Sequence, residues 1–254
     1  MKHILKHIFL AAFLVLAGSW AAGQNAQAFA PGVHPAVIFV ANDAGDATAL
    51  TDNLCEVLSG TKWPMKVDTT RWSAFGGPFR DYNYVSQHRA FGLRMACRIQ
   101  AAQRVCPGAK TYLMGYGAGA GVVLAAAESL PPGSVDRIVL LAPAVSTTYD
   151  LRPALRTSRE GIDVYYSLQD GHLIDARDII GNADCVRDVP AAGVVGFRCP
   201  CPAEPDSGLY CLVRQFPFNP LTYECTGNQG SHCGPIHYGF LRLVVLTNMV
   251  AFYH

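Results

Sequence analysis

The stretch Gly115-Tyr116-Gly117-Ala118-Gly119 lies between an apolar run and an Ala-rich run, so it reads as a tight strand-to-helix turn. Such turns do chemistry in two known ways. Gly115, Gly117 and Ala120 formally match the G-x-G-x-x-G/A dinucleotide fingerprint. That fingerprint belongs after the first strand of a fold, with an acidic residue ending the next strand; here the next strand ends in Ala142-Pro143-Ala144. The other reading is the G-x-S-x-G corner, where a strained backbone lifts a nucleophile clear of the sheet. The central residue is Gly117, which has no side chain to attack a carbonyl. Glycine adopts a positive-φ corner at little cost, so the shape survives and the nucleophile does not. A plain Gly-rich turn remains the third reading.

A nucleophile corner needs a carboxylate that orients an imidazole, and an imidazole that moves the proton. Asp170 follows an apolar strand pattern by three residues, and His232 lies on a late loop before the last helix. They are the candidate acid and base, with His237 the second choice of base. Asp175 and Asp163 are weaker acids, Asp163 falling within a strand. Asp170 also fits an ordinary Gln169-Asp170-Gly171 turn, His232 a loop histidine, and His172 a surface residue. An oxyanion hole would use backbone N–H groups of Ala118 and of the early loop at Ala44 and Gly45. Trp72 and the loop from Phe75 to Phe79 either line a pocket mouth or form a packed aromatic cluster.

The elements that would position these residues alternate. Strand patterns cover 36–41, 66–72, 110–114, 136–142 and 162–167; helical patterns cover 48–58, 86–105 and 119–130. Alternation of this kind gives βαβ units and a mostly parallel sheet, with functional residues in the turns at the carboxyl ends of its strands. The expected fold class is a three-layer α/β/α sandwich. Residues 241–253 read as a buried terminal helix.

Several stretches resemble a bacterial family of exported α/β-hydrolase-fold proteins of lipase or esterase type. They are Val40 to Asp46 (VANDAGD), Arg71-Trp72-Ser73, the glycine corner, Leu130 to Arg137 (LPPGSVDR), Tyr149 to Leu155 (YDLRPAL) and Gly227 to His232 (GNQGSH), spread over most of residues 36–240. The resemblance implies an α/β-hydrolase fold and ester-type ligands. It also implies a serine where this chain carries Gly117.

Residues 1–28 have the layout of a secretory signal peptide: Lys2 and Lys6, an apolar run from Ile8 to Ala17, and the small-x-small site Ala26-Gln27-Ala28. The remainder, 29–254, is expected to be one domain, periplasmic or extracellular, with no membrane span after cleavage. Charged residues make up 15% of the chain and net charge is +1, which argues against a nucleic-acid partner and against disorder. No cofactor and no metal are expected, and oligomeric state is left open. Export makes disulfides the default for the nine cysteines. Six of them, Cys185, Cys199, Cys201, Cys211, Cys225 and Cys233, suggest a Cys-rich loop region stapled near the C-terminus. A zinc site from these cysteines and His232 is the sharper alternative, but the C-x-C spacing of Cys199 and Cys201 is a poor match.

Three functions follow. The first is a degenerate, nucleophile-less esterase-like protein, a pseudoenzyme that binds a small acyl or ester-like ligand. The second is an active ester hydrolase that activates water through Asp170 and His232. The third is a structural extracytoplasmic module.

Overall fold

The computed structural model describes residues 35–250, apart from 46, 62 and 74–76. The expected signal segment and part of the 75–79 loop therefore lie outside the described residues. Six strands form one wholly parallel sheet in the order β2-β1-β3-β4-β5-β6. They are β1 (Ala36–Ala41), β2 (Met65–Thr70), β3 (Lys110–Tyr116), β4 (Arg137–Leu141), β5 (Ile162–Tyr166) and β6 (Val213–Pro217). Helices α1 (Ala49–Ser59), α2 (Pro78–Tyr82), α3 (Val85–Val105), α4 (Gly119–Glu128), α5 (Arg152–Thr157) and α6 (Gly171–Ile180) connect them.

The central strands β3 and β4 are buried along almost their whole length, which explains their unbroken apolar runs. Helix α4 is buried from Gly119 to Ala127 between sheet and α3. Its small residues permit that approach: a Cβ on Gly119 would run into the backbone carbonyls of Ala41 and Asn42. Helix α1 packs against the closing helical run, whose Leu241, Val245, Leu246 and Met249 are buried. Layers of helix thus cover the sheet, as in the α/β-hydrolase fold.

Two expectations need correction. Strand β6 was not anticipated, because Val213-Arg214-Gln215-Phe216-Pro217 is polar and ends in proline, the signature of an edge strand. The other concerns the cysteines: all nine are unpaired and exposed, so no disulfide staples the segment from Cys185 to Cys233. That segment is held instead by the β5–β6 pairing and by polar ties. Gln215 clasps the backbone of Phe197, accepting from its N–H at 2.6 Å and donating to its carbonyl at 3.0 Å. Arg214 donates to Asp163 at 2.6 and 2.7 Å, and buried Arg137 donates to the same carboxylate at 2.9 Å.

Candidate active site

Register brings the site together. Ala41, the last residue of β1, pairs with Gly115 on β3, so two residues further on Asp43 faces Gly117. Asn42 secures the bend between. Its carbonyl accepts from Trp72 Nε1 (2.8 Å), its amide donates to Thr51 Oγ1 (2.7 Å), and its side-chain oxygen accepts from the Thr51 N–H (3.2 Å). Trp72 is buried against His88, so the packed reading of this aromatic holds even though it borders a cleft.

Gly117 has φ +55°, and its backbone is tied to β4: its N–H donates to Leu141 (3.1 Å) and its carbonyl accepts from Ala144 (3.0 Å). A Cβ placed there would land on the Asp43 carboxylate. The space that a side chain at 117 would need is therefore filled by Asp43, reaching across from the neighbouring strand. Asp43 Oδ1 accepts from the Ala118 N–H at 2.8 Å, and Oδ2 lies 3.2 Å from His232 Nε2. The carboxylate also sits at the N-terminal end of α4, where the helix dipole favours negative charge.

Asp170 and His232 are brought together, with Nδ1 of the imidazole 2.7 Å from Asp170 Oδ2. The other carboxylate oxygen, Oδ1, caps α6 by accepting from the Leu173 N–H at 3.1 Å. One aspartate thus fixes both a helix start and an imidazole ring. His232 is carried by a loop that turns at Gly227 and Gly230, with Asn228 accepting from the Gly230 N–H. The ring lies between Tyr116 (4.9 Å between centroids) and His172 (4.6 Å). His172 is exposed, as the sequence suggests, yet it stacks on the site.

The remaining candidates fall elsewhere. His237 Nδ1 donates to the Thr226 carbonyl at 3.0 Å, a local contact at the start of a short helix. Asp163 is consumed by its two arginines, and Asp175 is exposed on α6. Of the expected oxyanion donors, the Ala118 N–H points at the site but is taken by Asp43. Ala44 supports the same carboxylate through its backbone, whereas Gly45 forms the turn at φ +79°.

Electrostatics follow from two carboxylates flanking one buried imidazole. Burial alone would lower the His232 pKa, but the hydrogen bonds and charges of Asp170 and Asp43 outweigh it and raise the value to about 10. Burial pushes the Asp43 carboxyl up, and the hydrogen bond and charge of His232 with the Ala118 and Ala44 N–H groups bring it below the usual carboxylate value. At neutral pH the imidazole is therefore held as imidazolium against the ionised Asp43. A polar cleft of about 420 Å³, lined by Asn42, Thr48, Thr51, Thr69, Arg71 and Trp72 among others, opens on Asp43. On the Asp170 side Tyr165, Phe216, Phe218 and Phe240 leave only about 10 Å³.

Asp43 is the residue that sequence reasoning missed. The vacant corner at 117 was visible, but the β1–β3 register that sets Asp43 against it was not.

No protein-family profile and no curated protein matches the sequence. Solved structures do resemble the fold. An uncharacterized protein from Bacillus cereus ATCC 10987 superposes with TM-score 0.50 at 10% identity, over 98% of this chain and 70% of the other. Lipase B of Aspergillus fumigatus gives 0.48 at 11% identity, over 84% and 51% of the two chains. Esterase PE8 gives 0.45 at 12% identity, over 74% and 85%. At such identities the likeness concerns the fold.

Proposed function

We propose that this chain is an exported hydrolase of ester substrates that activates water through Asp43 and His232 instead of through a side chain at position 117. The observation that carries the reading is the Asp43 carboxylate, held between the Ala118 N–H and His232 Nε2 where an attacking group would stand. Export rests on the Lys2-to-Ala28 pattern alone.

The chemistry divides between the two groups. Water entering from the cleft gives a proton to Asp43 and adds to the ester carbonyl. The imidazolium of His232 protonates the departing alkoxide, and the Asp43 proton then returns to Nε2. Asp170 keeps Nε2 turned toward Asp43 by accepting from Nδ1–H. A carboxylate held below its usual pKa is a weak base, so turnover is slow. Sites lacking a triad member still supply about 10³–10⁴-fold over water, which sets the scale.

One observation favours the degenerate, ligand-binding reading instead. Asp43 Oδ1 occupies the Ala118 N–H, the donor that would stabilise an oxyanion. Assay of the full chain on short acyl esters separates the two. Slow hydrolysis, reduced at least tenfold by Asp43→Asn and by His232→Ala, supports the hydrolase. Turnover at background in all three proteins supports the binding protein.

A further inference from the structure

We infer that Asp43, His172 and His232 form a binding site for one divalent transition-metal cation, Zn²⁺ or a close relative. It takes the ester substrate from the hydrolase reading but not the acid–base roles, because a bound cation would occupy Asp43 Oδ2 and His232 Nε2; its binding does not depend on that reading. It departs from the sequence, in which no metal-ligand spacing links residues 43, 172 and 232.

Each of the three residues offers one ligand atom, and these atoms all lie within 4.8 Å of one another. In a tetrahedral site with Zn–N and Zn–O bonds of about 2.0–2.1 Å, neighbouring ligand atoms are about 3.3 Å apart. Asp43 Oδ2 and His232 Nε2 are already 3.2 Å apart. Only His172 must close in, its exposed side chain in the first turn of α6 giving up the stack on His232 to do so.

Two of the ligands are supported from behind, as metal ligands generally are. Asp170 takes the Nδ1 hydrogen of His232, leaving Nε2 as the donor atom. The Ala118 N–H holds Asp43 Oδ1, so Oδ2 is the ligand atom, and the cation takes the place of the Nε2 proton that Oδ2 faces at 3.2 Å. Asp170 also caps α6 two residues before His172, so one carboxylate orders both histidines. Two imidazoles and a carboxylate suit zinc and its neighbours better than magnesium or calcium, which prefer all-oxygen sets.

Three protein ligands leave a fourth position toward the cleft beside Asp43. Water bound there loses a proton to solvent near neutral pH. The hydroxide adds to the ester carbonyl, the C–O bond breaks, and the alkoxide takes a proton from water.

The test is metal binding to the chelator-treated full chain, with its nine thiols blocked by N-ethylmaleimide so that cysteine cannot bind the ion. Isothermal titration with Zn²⁺ is expected to give one site per chain with micromolar or tighter Kd. Co²⁺ is expected to give the visible bands of four-coordinate nitrogen and oxygen ligation. His172→Ala, at an exposed position, is expected to keep the native circular dichroism and weaken Zn²⁺ at least tenfold. No stoichiometric binding, or binding equal in His172→Ala, overturns the site. Ester hydrolysis that continues without bound metal leaves the hydrolase reading standing and removes only the role given to the cation. Binding in a protein that hydrolyses no ester upholds the site and overturns that reading.

Discussion

Placing a serine at position 117 is the obvious way to rebuild a nucleophile, and the structure says that it fails unless Asp43 is removed as well. A side chain at φ +55° costs about 1–2 kcal/mol. Its Cβ would also meet the Asp43 carboxylate, which must then leave the Ala118 N–H and His232. Breaking a buried charge pair of this kind costs about 3–5 kcal/mol. Asp43→Ala gives up the same pair directly, so it costs a similar amount. In the double variant the pair is lost only once and no clash remains. The double variant is therefore expected to be about as stable as Gly117→Ser alone, a favourable coupling of about 3 kcal/mol. Urea unfolding of the natural protein, both single variants and the double variant measures that coupling. The double variant should also gain hydrolysis of short acyl esters, since Asp170 and His232 then stand behind the introduced serine. Losses that add within about 0.5 kcal/mol would refute the claim that residues 43 and 117 compete for one space.

The same geometry has other consequences. His232 has a folded-state pKa of about 10, above its ordinary 6.5, so its stabilising contribution is complete below pH 6.5 and is lost as pH rises toward 10. The Asp43 pKa is lowered, so its contribution is present above its ordinary value of 3.8 and disappears as pH falls below that. Thermal unfolding of the metal-free protein should therefore show Tm falling on both flanks, and Asp43→Asn should flatten the acid flank and reduce the alkaline one, which Asp170 still supports. Asp163→Ala takes one carboxylate from buried Arg137, leaving it Glu160 at 3.3 Å, and removes the carboxylate that Arg214 binds; it is expected to cost about 3 kcal/mol in urea unfolding. Thiol labelling of the unreduced native protein should count nine reactive cysteines, and a count of five or fewer would restore the disulfide expectation.

How far the sequence could be read depended on what carried each signal. Strands β1, β3 and β4 announced themselves because burial on both faces demands continuous apolar runs, and β5 did so by Val164, Tyr165 and Tyr166 despite the buried Asp163. Strand β6 did not, since an edge position tolerates Arg214, Gln215 and Pro217. The contact between Asp170 and His232 was legible from their places after a strand and before the last helix. Asp43 was not, because it lies in a short turn-forming run where an aspartate is unremarkable. Only the β1–β3 register, which a single sequence does not encode locally, sets it against Gly117. The same holds for His172, whose surface character is real and whose stacking on His232 depends on the loop from Gly227 to His232.

The most direct test is the proton on His232. Nitrogen-detected NMR of the ring in metal-free protein, followed from pH 5 to 11, should show an imidazolium at neutral pH that titrates near 10. Asp43→Asn should bring the midpoint down by more than one pH unit. A midpoint near 6.5 in the natural protein, unmoved by Asp43→Asn, would mean that Asp43 does not hold the imidazole. The carboxylate would then not be standing in for the side chain that Gly117 lacks.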